Sequence, residues 1–140
     1  MVVLLVDAAN VVGSRPDGWW RDRAGAASRL LARLAALPGR ELPGPAGGSL
    51  PCARVVAVLE GRASDVPAPP GVDVVRAAGS GDDALAAAAA ELAAAGEGLV
   101  AVTADRGLRE RLPAGATAAG PGWLLGLLDA IAEEPPDGTA

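Results

Sequence analysis

The sequence predicts an α/β protein, a three-layer α/β/α arrangement around a central, mostly parallel sheet. Three observations carry this. Short continuous apolar runs such as Val2-Val3-Leu4-Leu5-Val6 read as strands buried on both faces. These runs alternate with longer stretches whose apolar residues recur at helical spacing, and the order β-α-β-β-α-β-α-(β)-α requires right-handed crossovers that put helices on both faces of the sheet. The core must be built from Val, Leu, Ile and Ala, because the 140 residues include three Trp but no Phe or Tyr. That length suits one domain.

Val2 to Val6 is the first strand, ending at Asp7. After a loop through Gly13, Pro16 and Gly18, a helix is expected from about Trp19 to Leu37, with Leu30, Leu31, Leu34 and Leu37 on its apolar stripe and Pro38-Gly39 ending it. Residues 38–51 are rich in Pro and Gly without periodicity and read as a surface loop. Arg54 to Leu59 is the second strand, followed by Glu60 and Gly61; Val72 to Val75 is the third. Ser80-Gly81-Asp82-Asp83 opens an Ala-rich helix to about Ala95, with a polar cap and acids suited to its first turn. Leu99 to Val102 is the fourth strand, leading through Thr103-Ala104-Asp105 into a short helix to Leu112. Ala116 to Ala118 is a candidate edge strand. The last helix carries Leu124, Leu127, Leu128 and Ile131 at i, i+3, i+4 and i+7. Its apolar face is read as core-facing, with a homodimer contact as the alternative. Residues 1–133 are thus expected to form one domain, and 134–140 a frayed tail.

Composition narrows the chemistry. There is no His and a single Cys, Cys52, which excludes a Ser-His-Asp triad, a Cys-His nucleophile, a His/Cys zinc site and an internal disulfide framework. Catalysis would have to use carboxylates, Arg, Ser/Thr, Asn or a bound metal. The net charge of −5 argues against a uniformly basic nucleic-acid wrapper, but the charge is unevenly spread. Residues 1–62 hold eight Arg against five acids, whereas residues 63–140 hold four Arg against twelve acids. The initial apolar run is too short to span a membrane and no signal-peptide pattern follows it, so a soluble cytoplasmic protein is expected.

In a parallel α/β sheet, function gathers at the carboxyl ends of the strands. Four acidic positions fall there: Asp7, Glu60, Asp82/Asp83 and Asp105. Converging carboxylates repel, and a divalent cation relieves that repulsion; an all-oxygen donor set selects Mg²⁺ or Mn²⁺. Each residue also has a structural reading. Asp82, Asp83 and Asp105 could cap helices, Glu60 could solvate a turn, and Asn10 either holds its loop by an Asx-type hydrogen bond or lines the site. Asp7, directly after a buried strand, is the hardest to explain as structural. Trp19 and Trp20, flanked by Arg21 and Arg23, could stack bases and grip phosphates or serve as core anchors.

Through Val6-Asp7-Ala8-Ala9-Asn10, Gly81-Asp82-Asp83 and Val102-Thr103-Ala104-Asp105-Arg106, the sequence resembles the NYN branch of the PIN-like nuclease superfamily over roughly residues 2–112. The resemblance implies a PIN-like fold and a metal-dependent ribonuclease. It further implies that Asp7, Asp83 and Asp105 are catalytic and hold Mg²⁺ or Mn²⁺, with Asp82 as a supporting metal ligand and with Asn10 and Thr103 on the substrate side, Thr103 holding the loop or a water. Many relatives carry an acid where this chain has Arg109, which leaves one metal or two open. Arg15, Arg21, Arg23 and Arg106 are the candidate phosphate contacts, with RNA, single-stranded, as the expected partner. Two other readings fit the same residues: a PIN-like module that binds RNA or protein without turnover, and a phosphohydrolase of small nucleotides.

Overall fold

The computed structural model describes residues 1–135; of the expected frayed tail, 136–140 lie outside the described residues. The chain runs β1 (Val2–Asp7), α1 (Ala8–Val12), α2 (Arg23–Leu34), β2 (Glu41–Pro43), β3 (Ser49–Leu59), β4 (Asp73–Arg76), α3 (Gly81–Ala94), β5 (Gly98–Val102), α4 (Arg106–Glu110), β6 (Thr117–Ala119) and α5 (Pro121–Ala132). Short 3₁₀ turns lie at Trp19–Arg21 and Gly61–Ala63.

The apolar run at the N-terminus takes the central place its composition demands. β1 lies between β3 and β5, parallel to both, and alternate side chains enter two separate cores. Leu4 and Val6 pack with residues of α1, α2 and α5, whereas Val3 and Leu5 pack with Leu85 and Ala89 of α3 and Leu108 of α4. A strand buried on both faces has no polar side to offer, which is why its sequence does not alternate. The sheet is ordered β2-β3-β1-β5-β6, with β4 pairing in parallel along the later half of β3 and β2 antiparallel along its start. The fold is therefore α/β with a mostly parallel sheet, as expected. Its parallel strands end on one edge.

Several boundaries differ from the sequence reading, each for a local reason. The helix expected from Trp19 begins at Arg23, because the Asp22 carboxylate accepts the Gly25 N–H at 2.9 Å and caps it there. It ends at Leu34, yet Leu37 remains fully buried beyond it. Residues 38–51, expected as a loop, contain β2 and the first residues of β3. Leu42 faces Leu50 across this hairpin and both are buried, while Gly47 and Gly48 turn the chain at positive φ of 95° and 73°. The residues after Asp7, read as loop, make the single helical turn of α1.

No helix among the described residues is long and apolar enough to cross a membrane. Stability rests on the sheet's two apolar faces, and Leu4 is fully buried at its centre. Leu4→Ala is expected to destabilise the fold by about 2–5 kcal/mol in urea unfolding, against within about 0.5 kcal/mol for exposed Glu91→Ala.

Candidate active site

The site is built where β1 and β5 end side by side. Their register pairs Val6 with Val102, so the next residues, Asp7 and Thr103, are neighbours. Both are buried: Asp7 is 8% exposed and Thr103 is 0% exposed. The Thr103 hydroxyl donates to Asp7 Oδ2 at 3.0 Å and accepts the Asp105 N–H at 3.1 Å. Asp7 Oδ1 accepts the Asn10 N–H at 3.3 Å, capping α1. Asn10 in turn accepts the Ala104 N–H through Oδ1 at 2.8 Å. Two independent links thus tie the β1–α1 corner to the 103–105 loop. Arg109 fastens the same loop from beyond, its Nε donating to the Thr103 carbonyl at 2.8 Å.

Asp105 sits at the start of α4 and accepts the Leu108 N–H through Oδ1 at 2.9 Å. Glu60, at the end of β3, accepts the Gly81 N–H through Oε2 at 2.8 Å and so holds the opening of α3. A Cβ at 81 would lie 2.6 Å from the Glu60 carboxylate, so any larger residue there would push that side chain aside. Asp82 follows in the first turn of α3.

Burial chiefly raises the pKa of Asp7, opposed by the hydrogen bonds from Thr103 and Asn10 and reinforced by the charges of Glu60 and Asp82. Asp82 is raised by burial, then by the charges of Asp105 and Glu60, with Arg111 opposing. Asp7, Glu60, Asp82 and Asp105 therefore share one electrostatic field at the strand ends. Asp83 faces elsewhere: its side chain is 74% exposed and pairs with Arg111 at 2.9 Å. Of the four carboxylates expected at a metal, Asp7, Asp82 and Asp105 stand in one another's field, while Asp83, about 100° round the helix from Asp82, is paired with Arg111.

Among the described residues, no three Asp, Glu, Cys or His side chains stand close enough to hold one metal ion. The donors still suit a hard divalent cation, which keeps several waters and takes one or two carboxylates together with substrate phosphate oxygens. Their mutual repulsion is the kind such a charge relieves.

The arginines divide into two groups. Arg15, expected to contact phosphate, is bound to Asp129 of α5 at 2.8 Å, together with Arg33 at 2.6 Å. The two guanidiniums hold the Asp129 carboxyl down to about 2. Arg15 thus serves the α1–α5 side of the molecule. Arg21 and Arg23 do lie near the strand ends, where they stack on Trp20 and Trp19 at 5.9 and 5.2 Å from the ring centroids. Arg106 is exposed at the start of α4 beside Asp105. Arg62 was missed. It stands two residues past Glu60 and, with Trp20, Arg21 and Arg23, lines a hollow next to the acidic edge; an Arg closely following a strand-end acid was the available signal.

The fold is similar to that of Rae1 (YacP). A crystal structure of the W164L mutant of that Bacillus subtilis protein matches with a TM-score of 0.67 and 20% sequence identity, over 94% of this chain and 77% of that chain. No family model and no curated protein matches the chain. At this identity the likeness is one of fold.

The raised pKa of Asp7 has a measurable consequence. The native state holds this proton at pH values where the unfolded chain, near 3.8, releases it. The stability contributed by Asp7 is therefore fully present below the unfolded pKa and is lost as pH rises through the folded pKa. In metal-free buffer, Asp7→Asn is expected to melt above wild type at pH 7, with the gain vanishing near pH 3; a variant that melts below wild type at pH 7 would contradict the assignment.

Proposed function

We propose that this chain is a metal-dependent ribonuclease that hydrolyses phosphodiester bonds at the carboxyl edge of its sheet, with a PIN-like three-layer fold. One observation carries the reading: four carboxylates from four chain segments share a field at that edge, and two of them have raised pKa values. The NYN-like spacing of Asp7, Asn10, Asp82, Asp83, Thr103 and Asp105 supports it.

One or two of Asp7, Asp82 and Asp105 would hold Mg²⁺ or Mn²⁺, with waters and substrate phosphate oxygens completing its shell. When bound, the ion would polarise the scissile phosphate and lower the pKa of a water in its shell. Thr103 fixes Asp7 by donating to Oδ2, so that carboxylate meets the substrate without first reorganising. Asn10 holds the 103–105 loop at its required distance from β1. Asp82, half-exposed and raised in pKa, is suited to accept a proton at its carboxylate from the attacking water. Arg21, Arg23, Arg62 and Arg106 would neutralise substrate phosphates, giving an acidic protein a locally positive approach. Asp83 pairs with Arg111 on the exposed surface, linking α3 to the end of α4.

A second reading, an RNA- or protein-binding module without turnover, is favoured by the pairing of Asp83 with Arg111 and by the openness of the carboxylate set. One assay separates the two. Under Mn²⁺, wild type is expected to cleave single-stranded RNA and Asp7→Asn to lose about three orders of magnitude in rate, corresponding to roughly 4 kcal/mol of transition-state stabilisation. Asp82→Asn is expected to lose more activity than Asp83→Asn. RNA binding that persists in EDTA, with no cleavage under any divalent ion, would establish the binding module instead.

A further inference from the structure

Next to the carboxylate edge lies a cavity of about 430 Å³. Its walls are the start of α1, Trp19, the first turns of α2 and the Glu60–Ala63 segment. The lining is mostly small and apolar, with Ala8, Val12, Ala27, Leu59 and Ala63 leaving space that larger side chains would fill. Trp19 is the sole aromatic wall. Its ring is held in place, with the Arg23 guanidinium over it at 5.2 Å and the Trp20 ring meeting it edge-on at 5.9 Å and 87°. A fixed indole with a stacked guanidinium, above an apolar floor, is an environment suited to the flat face of a nucleobase. The volume falls in the range of pockets that enclose small ligands.

The charge around the cavity points to the same class of ligand. Arg15, Arg33, Arg40, Arg54 and Arg111 are each paired with an acid. Arg21, Arg23 and Arg62, which frame the adjoining hollow, have no acidic partner among the described residues. The nearby Asp22 carboxylate is engaged by the Gly25 N–H. Cations left free beside an apolar, aromatic-walled cavity suit a polyanion that also carries bases. Glu60 belongs both to the cavity wall and to the acidic edge, so an occupant would adjoin the site of chemistry.

We propose that this cavity receives one unstacked base of a single-stranded RNA, with Trp19 and Arg23 as its stacking wall and Arg21 and Arg62 on the flanking phosphates. The substrate class rests on the nuclease reading. A base inside an intact duplex cannot enter without being extruded, so the cavity selects single strands at the point of cleavage.

The test is binding without turnover, with isotope-labelled wild-type protein in EDTA observed by NMR. The probes are an RNA hexamer containing all four bases, a hexamer of abasic residues with the same number of phosphates, adenosine and uridine monophosphates, ribose 5-phosphate and inorganic phosphate. The intact hexamer and at least one nucleoside monophosphate are expected to shift the Trp19 indole N–H and the amides of Ala8, Ala9 and Ala63, with ribose 5-phosphate and inorganic phosphate leaving them in place. The abasic hexamer is expected to bind about tenfold more weakly than the intact one, and Trp19→Leu to weaken the intact hexamer by a similar factor. Abasic and intact hexamers of equal affinity, or the same shifts with inorganic phosphate, would overturn the base pocket. A protein that cleaves RNA under Mn²⁺ but fails this test loses the pocket and keeps the nuclease reading; one that passes without ever cleaving keeps the pocket and loses the nuclease.

Discussion

The hydrogen bond from the Thr103 hydroxyl to the Asp7 carboxylate is the interaction on which the acidic edge depends. It exists because β1 and β5 are parallel neighbours in a register that carries one residue past Val6 and Val102. A carboxylate buried at the end of an apolar strand would otherwise be left without enough partners, at a penalty of several kcal/mol. Thr103 is saturated in return: its hydroxyl takes the Asp105 N–H, its carbonyl takes Arg109 Nε, and its own N–H reaches the Ala119 carbonyl at 2.9 Å. One residue therefore fixes three elements together, its side chain holding the end of β1 and the opening of α4, and its backbone N–H the end of β6. Losing the hydroxyl would leave both the Asp7 carboxylate and the Asp105 N–H short of a partner.

Around this point the charges are sorted by face. Asp7 and Asp82 are raised chiefly by burial and further by the carboxylates around them, whereas Asp129, on α5, is drawn down by two guanidiniums. Arg15, Arg33, Arg40, Arg54 and Arg111 are paired with acids, and those beside Trp19 and Trp20 are not. The net charge of −5 is therefore a poor guide to what the edge attracts. A strained acidic cluster with free cations on its flank is stabilised most by ligands that bring both a divalent cation and phosphate. Stability given up at such a cluster is characteristic of functional sites.

Much of this was legible in the sequence because it follows from local patterns. The apolar run ending in Asp7, the Ser80-to-Asp83 helix opening and the Thr103-Ala104-Asp105 turn each carry their own signal, and the parallel sheet that joins them follows from the alternation of strands and helices. What was not legible depends on partners far apart in the chain. Nothing near Arg15 announces Asp129, and nothing near Asp83 announces Arg111, so neither ion pair can be read from local sequence. The opening of α3 is also tied to β3 by Glu60 accepting the Gly81 N–H, a contact between residues 21 apart that no local pattern announces. The hairpin inside residues 38–51 was hidden by its Pro and Gly content, since only the facing pair Leu42 and Leu50 marks it as sheet.

The central claim is that Asp7, held by Thr103, makes the acidic edge a binding site for a divalent cation. Calorimetric titration of Mn²⁺ into the RNA-free protein tests it most directly, with wild type, Asp7→Asn and Asp83→Asn compared in one buffer. The account predicts a saturable site in wild type that is lost in Asp7→Asn and retained in Asp83→Asn. Equal Mn²⁺ binding by wild type and Asp7→Asn would contradict it.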